Sequence, residues 1–189
     1  MLELAYVAGI LDGEGSFQIQ LNHNRKIVKN LAITPRIIIG FKKDKEESAL
    51  LCEFQKQFGG KIYISNDGTE KAMVRWMTTK LDETVNVAAT VLPLLHLKKS
   101  QCEKLLIVAR VMQGHQDRRY IKGPTTSLID IYSKDELQMI VKIATTMNAG
   151  RQNTKYRDTK GRNTDYYLEL VDKMYGQCND TTRIMETLP

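Results

Sequence analysis

Residues 4–17 read LAYVAGILDGEGSF, and the fold turns on this stretch. Leu4, Val7 and Leu11 recur at three and four residues, which predicts a helix over 2–11. From Ser16 the period becomes two. Phe17, Ile19 and Leu21 alternate with Ser16, Gln18, Gln20 and Asn22, which predicts a half-buried strand. Gly9, Gly13 and Gly15 fall at the junction, although glycine inside a helix costs about 1 kcal/mol against alanine. Ala5, Gly9 and Gly13 are four apart and leave a strip almost bare of side chains, flanked by Ala8. Such a strip lets a similar helix approach until the backbones nearly touch. The sequence holds one such helix, so the simplest partner is a second copy. The expectation is a two-fold homodimer joined through Ala5, Ala8, Gly9, Asp12 and Gly13.

Asp12 and Glu14 from two copies would converge at the end of that seam. Clustered carboxylates need cations, and hard oxygen ligands with room for water suit Mg²⁺. Carboxylates holding Mg²⁺ beside a basic surface are suited to phosphodiester cleavage, since the metal polarises the phosphate and acidifies an attacking water.

The basic surface comes from the next elements. LAITPRIIIGFKK, residues 31–43, alternates again, with Ile33, Pro35, Ile37, Ile39 and Phe41 on one side. Asp44 is suited to cap an amphipathic helix that ends at Gly59 or Gly60. Residues 61–65 and 71–79, joined across NDG, read as a hairpin. A helix over 82–92 stops before Pro93. The expectation is therefore an α+β chain, αββαββα, with one four-stranded antiparallel sheet. Its apolar face (Phe17, Ile37, Ile62, Ile64, Trp76) lies under helices. Its other face carries Gln18, Gln20, Arg36, Lys61, Tyr63, Ser65 and Arg75, either as a solvated surface or as a saddle for nucleic acid.

The later chain is helical in pattern, over 101–112, from Ser133 (with Glu136 completing a capping box) to about 147, and over 164–175. One domain over 1–189 is expected, with a core at 1–112 and a helical extension at 113–189. Between those helices, 110–122 holds four basic residues against one acid, and 151–163 holds five against one. Arg118, Arg119, Arg151 and Lys155 in these loops are candidate phosphate contacts.

Composition fits this reading. The chain has 189 residues, a net charge of +6 and a pI near 9.2, and the charge clusters, which favours an anionic partner. Three isolated cysteines exclude a disulfide framework and point to a reducing compartment. Neither a signal peptide nor a run long enough to span a bilayer is evident, so an intracellular protein without a membrane partner is expected.

VAGILDGEG, residues 7–15, followed by a period-two strand, resembles the nine-residue motif of the LAGLIDADG homing endonucleases, and PLLHLKK, residues 93–99, resembles the segment carrying that family's catalytic lysine. The expected element order is similar to that family's core, and a single motif is what its homodimeric, intron-encoded members have. The resemblance implies a metal-dependent, site-specific double-strand DNA endonuclease acting on a long near-palindromic site. It places Glu14 at the metal-ligand position, where Asp is commoner, and Asp12 where an acid braces the helix end. Lys98 falls at the basic position beside the scissile phosphate. Lys43, or Lys42 in its stead, falls at the water-network position. It implies Mg²⁺, with Mn²⁺ or Ca²⁺ able to occupy the site, and double-stranded DNA as partner. Two alternatives on the same fold are an RNA-binding intron maturase and a non-catalytic DNA-binding regulator.

Overall fold

The computed structural model describes residues 1–23, 31–116, 127–147 and 162–185. The order begins α1 (Leu4–Gly13), β1 (Gly15–His23), β2 (Leu31–Lys42), α2 (Lys45–Phe58), β3 (Lys61–Ser65), β4 (Met73–Met77) and α3 (Leu81–Val91). Helices α4 (Lys99–Gly114), α5 (Lys134–Thr146) and α6 (Thr164–Met185) follow. The four strands form one sheet in the order β1-β2-β4-β3. Strand β4 runs antiparallel to both β2 and β3, with Arg75 opposite Gly40 and Tyr63, and Trp76 opposite Ile39 and Ile62.

The chain divides into two compact units, Met1–Ile19 with Thr34–Gln113, and Gln20–Ile33 with Gly114–Pro189. Strands β1 and β2 therefore each contribute residues to both.

In the first unit, Val7, Leu11, Phe17, Ile37, Ile39, Leu51, Phe54, Trp76 and Leu105 are almost wholly buried. The strand parities produce this core, since alternate residues of β1, β2 and β4 face one way and the helices supply the covering apolar stripes. Local signals fix the element ends. The Asp44 carboxylate accepts from the Glu46 amide at the start of α2. Gly59 and Gly60 follow that helix at φ 75° and 80°, backbone that glycine adopts without strain. Trp76 Nε1 donates to Gly59 O at 2.8 Å, so the one tryptophan is held as well as buried. Ile64 departs from expectation. It has the core parity but is 50% exposed, because β3 is a short edge strand.

The second unit packs α5 against α6 around Leu137, Ile140, Val141, Tyr167, Val171 and Met174. Ser133 and Glu136 form the capping box that opens α5. Helix α6 extends to Met185, beyond the 164–175 of the sequence pattern.

Candidate active site and nucleic-acid interface

The end of α1 is built from backbone groups that need partners. A helix leaves its last carbonyls without intrahelical donors, and its dipole makes that end negative. Lys98 meets both needs. Its Nζ donates to the carbonyls of Leu11 at 3.2 Å, Gly13 at 3.0 Å and Gly15 at 2.6 Å, and the residue is 5% exposed. An ammonium has three protons, and here each has a carbonyl. Asp12 works in the opposite direction. Its carboxylate accepts from the backbone N–H groups of His96 (2.7 Å), Leu97 (3.2 Å) and Lys98 (2.9 Å), just before α4. Partial burial opposes its ionisation, but these donors outweigh it and hold the Asp12 carboxyl below its ordinary range. The two residues thus tie the motif helix to the 96–98 segment from both sides.

Glu14 follows α1 directly and is exposed, with its backbone N–H bonded to Ile10 and Leu11 carbonyls. Gly15 must be glycine. A Cβ there would lie 2.6 Å from the Leu11 carbonyl oxygen and 2.7 Å from its Cα. That contact turns the chain from helix to strand within one residue and puts the Glu14 side chain at the corner.

Gly9 and Gly13 behave differently. A Cβ at either would meet nothing within 4 Å, so nothing among the described residues requires glycine there. Ala5, Gly9 and Gly13 are all exposed, beside Leu4 and Tyr6 at 40% and 53%. Ala8 is a correction. It is 1% exposed and belongs to the chain's own core, so it cannot lie on the open strip.

The sheet face left uncovered by the described residues carries the residues that the alternation predicts. Gln18, Gln20, Lys61, Tyr63 and Arg75 are exposed, and Arg36 and Ser65 are half-buried. Gly40 leaves room for the Arg75 stem, since a Cβ there would stand 3.2 Å from Arg75 Cγ. The Arg36 Nε is buried with no hydrogen-bond acceptor among the described residues. This face also has apolar members, of which the sequence reading did not single out Met73 and Met77. Ile38, Met73 and Met77 share the parity of Arg75 and are half-buried. Their strand parity was the available signal.

Lys43 is exposed just after β2. Its amide donates to the Ala72 carbonyl, and its ammonium pairs with Asp67 of the β3–β4 turn at 2.5 Å. Lys42 is exposed without such an ion pair among the described residues. Arg118, Arg119, Arg151 and Lys155 lie outside the described residues. His23 is 7% exposed and ends β1 with the core parity of Phe17, Ile19 and Leu21.

The donor set bears on metal binding. No group of three His, Cys, Asp or Glu side chains converges among the described residues. Asp12 is occupied by backbone amides. One chain thus offers Glu14, an exposed hard oxygen donor at the negative end of a helix. That fits part of a Mg²⁺ or Ca²⁺ shell, to be completed by a second carboxylate or phosphate oxygens. No helix among the described residues is long and apolar enough to cross a membrane.

Comparison with known proteins agrees with this geometry. The profile of the LAGLIDADG endonuclease family matches residues 7–105. No curated protein matches the chain. Among solved structures, it is similar to the homing endonuclease I-CvuI, solved with an I-CreI target and Mg²⁺ with the DNA uncleaved. The TM-score is 0.66 at 16% identity, over 90% of this chain and 92% of that one. It is also similar to the archaeal intron-encoded homing endonuclease I-Vdi141I, solved with DNA. Here the TM-score is 0.65 at 17% identity, over 90% and 94% of the two chains. A third, the LAGLIDADG homing endonuclease I-GzeII in complex with its DNA target, gives a TM-score of 0.57 at 22% identity, over 81% of this chain but 47% of that one. At these identities the structures speak for the fold. The family profile spans more than half of the 189 residues, from the motif helix into α4. The chain belongs to the LAGLIDADG endonuclease family.

Proposed function

We propose that this LAGLIDADG endonuclease cuts double-stranded DNA at one long, near-palindromic site, as a homodimer using a divalent metal ion. The observation that carries the dimer is the pair of glycines, Gly9 and Gly13, that nothing among the described residues of their own chain requires. A second α1 lying along the strip explains them, and the half-length match to I-GzeII accords with two copies doing the work of one longer chain. The two Glu14 carboxylates then meet at the seam and supply the second donor that one chain lacks. A Mg²⁺ ion held there would polarise the scissile phosphate and lower the pKa of the attacking water.

The chain's own groups have distinct tasks in this reading. Glu14 binds and orients the metal. Lys98 fixes the carbonyls on either side of Glu14 in sequence and leaves a positive charge behind the site. Lys43, paired with Asp67, has the task of ordering water beside the phosphate. Gln18, Gln20, Arg36, Lys61, Tyr63, Ser65 and Arg75 meet the major groove, where Arg pairs best with guanine and Gln with adenine. Arg118, Arg119, Arg151 and Lys155 grip phosphates and make binding strongly salt-dependent.

The test is incubation of a plasmid library with the purified chain, with Mg²⁺ or with chelator. Double-strand breaks in Mg²⁺ alone support the reading. Intact plasmid in both, at protein concentrations where DNA is bound, refutes the enzyme.

A further inference from the structure

The last three residues of β1 are held in an unusual way. Among the described residues β1 is an edge strand, so one row of its backbone groups has no neighbouring strand there. Carbonyls two residues apart in a strand point the same way, and Leu21 and His23 are such a pair. Both accept from side chains near the start of α6. Tyr167 Oη donates to Leu21 O at 3.1 Å, and Arg162 Nη1 donates to His23 O at 2.9 Å. Tyr166 Oη shares a 2.6 Å hydrogen bond with His23 Nδ1.

These groups are buried and braced. Arg162 is 5% exposed, His23 7% and Tyr167 0%. The Arg162 guanidinium stands 5.5 Å and 5.4 Å from the ring centres of Tyr166 and Tyr167. The two rings meet edge to face at 5.3 Å. A buried guanidinium that donates to a strand carbonyl and stands beside two aromatic rings is more than edge protection requires, since a lysine or a charged edge residue would suffice for that.

What the arrangement fixes is the pose of Gln20 and Asn22. Both are exposed, and both alternate with the pinned residues, so the direction of their side chains follows from the twist and position of residues 21–23. At about 3.3 Å per residue, Gln20 and Asn22 lie roughly 17 Å and 23 Å along β1 from Gly15. On B-DNA that is about five to seven base pairs from the cutting centre.

We propose that Arg162, Tyr166 and Tyr167 are positioning residues for sequence specificity, setting discrimination by Gln20 and Asn22 at the outer base pairs of each half-site while leaving the inner pairs and the chemistry alone. The proposal rests on the DNA-endonuclease reading above. It gives α6 a role in reading sequence although none of the three side chains need touch a base. A base contact is worth a factor of five or more in discrimination only when donor and acceptor are placed to within a few tenths of an ångström, which a loose strand end cannot provide.

The experiment is a binding-and-cleavage profile over a library of half-site variants, for wild type, for the double variant Tyr166→Phe/Tyr167→Phe and for Arg162→Met. The phenylalanine pair keeps the rings and their contact with Arg162 and removes only the two hydroxyls, so it remains testable if Arg162→Met fails to fold. Expected is a fall of about threefold or more in discrimination at the outer pairs for the phenylalanine pair, with inner-pair preferences and the cleavage rate of bound DNA within twofold of wild type. Unchanged outer discrimination overturns the proposal. So does an even loss at all positions together with a lowered melting temperature, which would mean a general structural role. A wild type that selects no sequence refutes the endonuclease reading instead, and that outcome is distinct because it appears before any variant is made.

Discussion

Gly9→Ala separates the two halves of the account in one substitution. Within a single chain the added methyl meets no atom within 4 Å, so only helix propensity acts. Alanine in a helix interior is favoured over glycine by about 1 kcal/mol, and the isolated chain therefore becomes more stable. In the proposed dimer the same methyl enters a backbone-to-backbone seam twice, once from each copy. Overpacking a close contact costs about 1–3 kcal/mol, which weakens the dimer between about fivefold and about 150-fold. The assay is sedimentation equilibrium over a concentration series, joined to urea unfolding at concentrations well below the dimer Kd. Expected are a weaker dimer and a more stable monomer in the same protein. Gly15→Ala is the contrast, because its Cβ would lie 2.6 Å from Leu11 O and must destabilise the chain itself. A Gly9→Ala variant that dimerises with the wild-type Kd would refute the α1 seam.

Three further outcomes follow from the same geometry. Asp12→Ala removes the acceptor of three backbone N–H groups and should cost about 1–2 kcal/mol. The Asp12 carboxyl is held below its ordinary range, so its contribution is complete above the unfolded pKa of about 4 and is lost as pH falls through the lower folded value. The stability gap between wild type and Asp12→Ala, measured by urea unfolding, should therefore be flat from about pH 5 to 8 and close below about pH 4. Lys98→Met leaves the Leu11, Gly13 and Gly15 carbonyls without this donor and should lower stability by about 2–4 kcal/mol in thermal unfolding. A Lys98→Met protein as stable as wild type would show the ammonium to be idle there. Arg75→Ala should weaken binding to the selected site by about 1–3 kcal/mol and relax preference at one base pair, read by fluorescence anisotropy on single-substitution duplexes.

The local parts of this fold were legible because each rests on a short-range rule. The change of period at Ser16, the Asp44 cap and the Ser133–Glu136 box each sit within a few residues of what they determine. Tertiary geometry was less so. Nothing near Asp12 in sequence marks its three donors, which lie more than eighty residues on. Lys98 was picked out as a charge beside the scissile phosphate, but its burial under three carbonyls depends on α1 and α4 meeting end to end. Ala8 was grouped with the bare strip by size, yet it lies a quarter-turn round from Gly9 and faces inward. Polar residues follow His23 in the sequence, yet its parity with Leu21 places it on the buried side of β1. The pairing of His23 with Tyr166, 143 positions away, has no local signature at all.

The most direct test of the central claim is cleavage of a randomised-site DNA library in Mg²⁺ by the wild-type chain and by Glu14→Gln, with the ends sequenced. The account predicts staggered ends at one near-palindromic sequence for wild type. It also predicts that cutting is lost in Glu14→Gln while binding to that sequence persists. Ends of undiminished yield from Glu14→Gln, or a wild type that enriches a sequence without cutting it, would contradict the account.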